Sequence, residues 1–288
     1  MANKEIDENL QQLEHLLDKL ESIRQYSQTL EEAKPEIVSE QQDILPLQIG
    51  GELELTPRYS HLLEETKEYF YALQTNIQLS GDDLKVIAVS STRKNEGKTT
   101  TSVGLSVSLA RTGYKVLLLD VDIRNSVLSG IFHSKEKMLG LTEHLSGKAE
   151  IAEIIRRTNV ENLSVIESGQ ISPNPVALLR SPKFINLLKL LRTEFDYIIV
   201  DTPPIGQVID AAIITQQCDA SFLVTELEKI SRTQLLHSRQ QLEQTGVLFL
   251  GVVVNKVTIE HDRYGYYGYG YYGQYGQSED EINNHKNK

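Results

Sequence analysis

Residues 85–110 read "KVIAVSSTRKNEGKTTTSVGLSVSLA". The opening "KVIAVSS" is rich in β-branched and small side chains, as a strand buried on both faces requires. The stretch after Gly97 has helix length. Between them stands Gly97-Lys98-Thr99, the end of the phosphate-loop pattern G-x-x-x-x-G-K-[ST]. The first glycine of that pattern is missing, because position 92 is Thr. A bare G-K-T triplet is common by chance, so its placement between strand and helix decides. Backbone N–H groups at a helix start point at phosphates, and the helix dipole adds to the attraction. Lys98 is placed to reach the β/γ-phosphates and Thr99 to ligate Mg²⁺. Thr92, Arg93, Lys94, Asn95, Glu96, Gly97, Lys98, Thr99 and Thr100 are therefore expected to line an ATP site.

Further apolar runs follow at 115–122, 162–168, 196–203, 220–226 and 249–256, separated by helix-length segments. That alternation predicts an α/β fold, a doubly wound, mostly parallel sheet of the P-loop NTPase type. In such sheets ligands lie at the carboxyl ends of the strands. Two of those ends carry acids. One gives Asp120-Val-Asp122-Ile-Arg124, the other Asp201-Thr-Pro-Pro. A buried carboxylate costs desolvation energy unless a cation pairs with it. The two acidic strand ends and the loop together point to a Mg²⁺-nucleotide site, with Thr99, Asp120 and Asp201 as metal ligands. The alternative is that these aspartates, Asp122 among them, cap the helices that follow.

Composition sets the outer bounds. The chain has 288 residues, 40% hydrophobic and 24% charged, with a formal net charge of −11. That acidity argues against a nucleic-acid binder. The single cysteine, Cys218, lies among apolar residues and reads as a small core residue in a reducing compartment. The amino-terminal residues lack the apolar segment of a secretory signal. No apolar run reaches the ~20 residues needed to span a bilayer, so membrane association is expected through a partner.

Ile6, Leu10, Leu13, Leu17 and Leu20 follow a 4-3-4-3 spacing. Residues 1–34 thus read as an amphipathic helix or a short coiled coil. Residues 35–58, with three prolines and a Gly-Gly pair, read as a linker. Residues 59–262 form the expected nucleotide-binding domain, and 59–79 look helical. Residues 263–288 contain "YGYYGYGYYGQYG" (264–276), where glycine leaves tyrosines without a core and predicts a disordered tail.

The set "LLLDVDIR", "YIIVDTPP" and the tyrosine cluster resembles the bacterial tyrosine kinases, nearest to the separate cytoplasmic kinases of Gram-positive capsule and exopolysaccharide operons. The resemblance spans about residues 60–276. It implies ATP- and Mg²⁺-dependent autophosphorylation of Tyr264, Tyr266, Tyr267, Tyr269, Tyr271, Tyr272 and Tyr275, between self-associating subunits. It implies an activating membrane-embedded polysaccharide co-polymerase, a tyrosine phosphatase, and a place at the inner face of the cell membrane. It also implies that Lys98, Asp122 and Asp201 are catalytic and that Asn255 lies near the adenine. Two departures stand out. Asn95 replaces a usual glycine. Glu68, Tyr71 and Gln74 stand where the family shows E-x-x-R-x-x-R, whose arginines help form a ring of subunits. The alternative is a partition- or cell-division-type ATPase that hydrolyses ATP to water; Arg93 stands where such switches carry a second lysine.

Overall fold

The computed structural model describes residues 50–133 and 139–257. The heptad-like leucines and the seven tail tyrosines lie outside them. The strands are β1 (Gly50–Leu55), β2 (Val86–Ser91), β3 (Val116–Asp120), β4 (Phe132–His133), β5 (Ile155–Thr158), β6 (Leu163–Ile166), β7 (Tyr197–Asp201), β8 (Ala220–Glu226) and β9 (Leu248–Asn255). The helices are α1 (Pro57–Glu65), α2 (Lys67–Leu79), α3 (Lys98–Arg111), α4 (Leu141–Leu145), α5 (Ile151–Ile154), α6 (Pro175–Leu179), α7 (Pro182–Glu194), α8 (Asp210–Thr215) and α9 (Arg232–Glu243).

The strands form one sheet in the order β4-β1-β5-β6-β3-β7-β2-β8-β9. From β6 to β9 every neighbouring pair is parallel. These six strands are the six apolar runs of the sequence. Their middles, such as Ile87–Val89, Leu117–Leu119 and Ile198–Val200, are fully buried, because helices cover both faces.

The other edge departs from expectation. Residues 50–58 were expected to end a linker, yet 50–55 form β1, which pairs with β5 and β4. Leu53 and Leu55 are buried while Glu52 and Glu54 are exposed. This two-residue alternation is a half-buried strand, masked in the sequence by flanking Gly-Gly and proline. The helical stretch 59–79 is in fact two helices, α1 and α2, meeting at Thr66.

α3 begins at Lys98, directly after the loop, and is buried along most of its length. Its serines and Gly104 keep it slim enough to lie close to both the sheet and α2. The Phe70 ring of α2 covers Gly104, where a Cβ would stand 2.1 Å from the ring. Gln74 of α2 is buried against α3 and hydrogen-bonds Thr112 and Ser108. Position 74, arginine in the ring-forming pattern, therefore faces inward here. α9 starts with a capping box, Ser231 with Gln234. No helix among the described residues is long and apolar enough to cross a membrane.

Candidate active site

The loop after β2 turns through two left-handed residues, Asn95 (φ 65°) and Gly97 (φ 94°). Asparagine tolerates this region better than most residues. It therefore makes the bend that glycine makes in the family pattern. Gly97 has no such substitute, because a Cβ there would lie 1.8 Å from Asn255 Nδ2.

The ends of β8 and β9 clamp the loop. Asn255 Nδ2 donates to Glu96 O at 3.0 Å, and Lys256 Nζ donates to Asn95 O at 2.7 Å. Lys256 also pairs with Glu226 at 2.8 Å. The buried Glu96 carboxylate accepts from Arg93 N at 2.6 Å and from Thr225 Oγ1 at 3.2 Å. Asn255, expected beside the adenine, thus touches the loop backbone.

Asp201 is the hub. Its Oδ2 lies 2.8 Å from Lys98 Nζ and accepts from Thr99 Oγ1 at 2.7 Å. Its Oδ1 accepts from Ser102 Oγ at 2.9 Å. Asp120 is its register partner on β3. Asp120 Oδ1 accepts from Asp122 N at 3.0 Å, and Ser126 donates a short bond to Oδ2. Burial, and then the Asp201 charge, push the Asp120 carboxyl up to about 7. Two buried carboxylates thus share one ammonium, Lys98.

That donor set fits a hard divalent cation. Asp120, Asp201 and Thr99 offer oxygen only, and Mg²⁺ takes a few protein oxygens and fills the rest of its shell with water and phosphate.

The structure therefore gathers Thr92–Thr100, Asp120, Asp201 and Asn255 at one end of the sheet. Asp122 is buried beside them but hydrogen-bonds none of them through its carboxylate. Its Oδ1 accepts from Asn125 N at 3.0 Å, so it caps a turn rather than the start of a helix. Asp122 also lines a cleft of ≈ 470 Å³ with Asn125, Ser126, His133 and Glu167. Burial raises the Glu167 pKa above the ordinary carboxylate range. Arg124 turns away, and its guanidinium pairs with the buried Asp210 of α8 at 2.5 and 3.1 Å.

Sequence reasoning missed Ser102, Asp210 and Glu167. Ser102 was the most accessible of them, since it lies four residues after Lys98 and so shares its helix face.

Comparison with known proteins agrees with this geometry. Residues 84–246 match the AAA domain family. The chain is 57% identical over 213 residues to the tyrosine-protein kinase CpsD of Streptococcus pneumoniae, covering 74% of this chain and 94% of that protein. Among solved structures, the chimerical protein CapA2B2 superposes with a TM-score of 0.66 at 29% identity, covering 73% of this chain and 96% of that one. The kinase domain of the Escherichia coli tyrosine kinase ETK gives 0.64 at 30% identity, covering 70% and 80%.

Proposed function

The chain belongs to the bacterial tyrosine kinases, as a protein-tyrosine kinase of capsule synthesis, and from that premise we propose that it moves the γ-phosphate of ATP onto its own tail tyrosines, between subunits. The observation that carries this is the cluster at Asp201. Lys98, Thr99 and Ser102 converge on one carboxylate, with Asp120 beside it. A hydrolytic switch would share that cluster, but it has no use for seven tyrosines between glycines.

In this reading the loop amides and the start of α3 hold the phosphates of ATP. Lys98 exchanges its Asp201 contact for phosphate oxygens and balances their charge. Thr99, Asp120 and Asp201 hold Mg²⁺, which when bound neutralises charge on the phosphates. Asp122 receives the tyrosine hydroxyl from the cleft that it lines. A tyrosine hydroxyl titrates near 10 and a carboxylate near 4, so full deprotonation before attack is unfavourable. Asp122 therefore orients the O–H and takes its proton late, as the tyrosine–phosphorus bond forms and the bond to the β-phosphate bridge breaks. ADP leaves with the electron pair of that bond.

Activation by a membrane-embedded co-polymerase, and reversal by a tyrosine phosphatase, complete the proposal. They place the kinase at the inner face of the membrane through its partner.

The test mixes a Lys98→Met chain bearing an intact tail with active chain, ATP, Mg²⁺ and a fragment of the membrane partner. Phosphotyrosine on the substituted chain is the expected result. Its absence there, with phosphotyrosine on the active chain, rules out transfer between subunits. Free phosphate without phosphotyrosine on either chain favours the hydrolytic switch.

A further inference from the structure

A second cleft, of ≈ 390 Å³, opens beside the phosphate loop, and its walls include Thr92, Arg93, Gly206 after β7, and Gln234, His237 and Ser238 of α9. No residue from Asn95 to Thr100 lines it, and neither do Asp120, Asp122 or Asp201. It shares only Thr92 and Arg93 with the stretch expected to line the ATP site, and so lies beside the nucleotide site, at the start of the loop.

Its chemistry is one-sided. Ser238 is 1% exposed and Thr92 5%, and neither hydroxyl has a hydrogen-bond partner among the described residues. A buried hydroxyl left unpaired costs free energy, which an incoming acceptor would recover. No carboxylate among the described residues lines the cleft, although the chain carries 40 acidic residues. Arg93 is its cation, and that guanidinium forms no ion pair among the described residues.

The two hydroxyl-bearing walls meet across Gly206. A Cβ there would stand 2.5 Å from Thr92 O and 3.3 Å from Ser238 Oγ. The first turn of α9, a helix of 12 residues, lies on the same side through Thr233 and Gln234, and adds its positive dipole end.

We propose that this cleft is a second anion site, taking a phosphate dianion either free or as a monoester. Arg93 supplies the charge, the Thr92 and Ser238 hydroxyls donate, and His237 offers a further ring N–H. The monoester this chain would itself make is phosphotyrosine. That link rests on the proposed function; the anion site does not.

The test uses the dephosphorylated full chain saturated with ADP and Mg²⁺, so that the phosphate loop is filled. Phosphotyrosine, inorganic phosphate and tyrosine are titrated in turn, while the backbone amide resonances of Thr233–Ser238 are followed. The expected result is saturable movement with at least one of the two anions and none with tyrosine. Tighter binding of phosphotyrosine assigns the site to monoesters, and equal or tighter binding of phosphate assigns it to the free ion.

The Gln234→Glu variant keeps the capping box, since Glu serves there as well as Gln, but adds a carboxylate to the wall. It should weaken anion binding at least about tenfold while leaving ADP affinity unchanged. Ser238→Ala should lose roughly threefold to tenfold. Four results would overturn the proposal: no movement with either anion, equal movement with tyrosine, undiminished binding in Gln234→Glu, or loss of ADP affinity in that variant. None of these readouts depends on whether the tail is phosphorylated, so the two readings fail separately.

Discussion

Asn95 shows how a loop can depart from its family pattern and keep its shape. Its left-handed backbone and the Lys256 bond to its carbonyl do the work of the usual glycine. Asn95→Gly should therefore leave ADP affinity within about twofold, since φ 65° suits glycine. Asn95→Val should cost about 1–3 kcal/mol of stability and weaken ADP binding; thermal melts and calorimetric titration check both. Asp120 tells a different story. Its ionised form is disfavoured in the metal-free fold, so the stability it contributes is present at acid pH, below the unfolded carboxylate range. That stability is lost as pH rises through about 7. In chelator, Asp120→Asn should remove this pH dependence, gain about 0.5–2 kcal/mol near neutral pH and abolish kinase activity. A melt that drops at neutral pH in the variant would refute it. Lys98, Thr99, Asp120 and Asp201 were legible because their motifs have fixed spacings after strands. Asp210 was not, since only the folded α8 brings it to Arg124.

Among elements, α2 and α3 depend on Gly104. Because the Phe70 ring fills the space of a Cβ, Gly104→Ala should destabilise the protein by about 1–3 kcal/mol, despite alanine's higher helix propensity. Denaturant midpoints measure it, and the paired Phe70→Leu substitution should recover part of the loss. A neutral or stabilising Gly104→Ala would mean that the ring swings aside freely. The six parallel strands were readable as continuous apolar runs because both of their faces are covered. β1, β4 and β5 were not. β1 alternates, β4 has two residues, and β5 carries Arg156 and Arg157 in a four-residue strand. Such short or polar strands toward the sheet's edge take their conformation from their neighbours rather than from local preference.

At the scale of the whole molecule, charge governs what phosphorylation does. The chain is already at −11, and each phosphate adds about −1.5 to −2. Phosphorylated subunits should repel, so the oligomer seen by light scattering should shrink after ATP treatment. An unchanged or larger particle would sink that expectation. Replacing all seven tail tyrosines by Phe should remove nearly all phosphotyrosine and the size change, while ADP affinity stays. The clamp on the phosphate loop has a consequence in time. Asn255 and Lys256 meet loop residues 159 and 161 positions earlier in the chain. At about 5–20 residues per second, the ribosome makes the loop roughly 8–30 s before the side chains that brace it. A nascent chain thus carries an unbraced phosphate loop until β9 is complete, and the tyrosine tail is then the next segment to emerge.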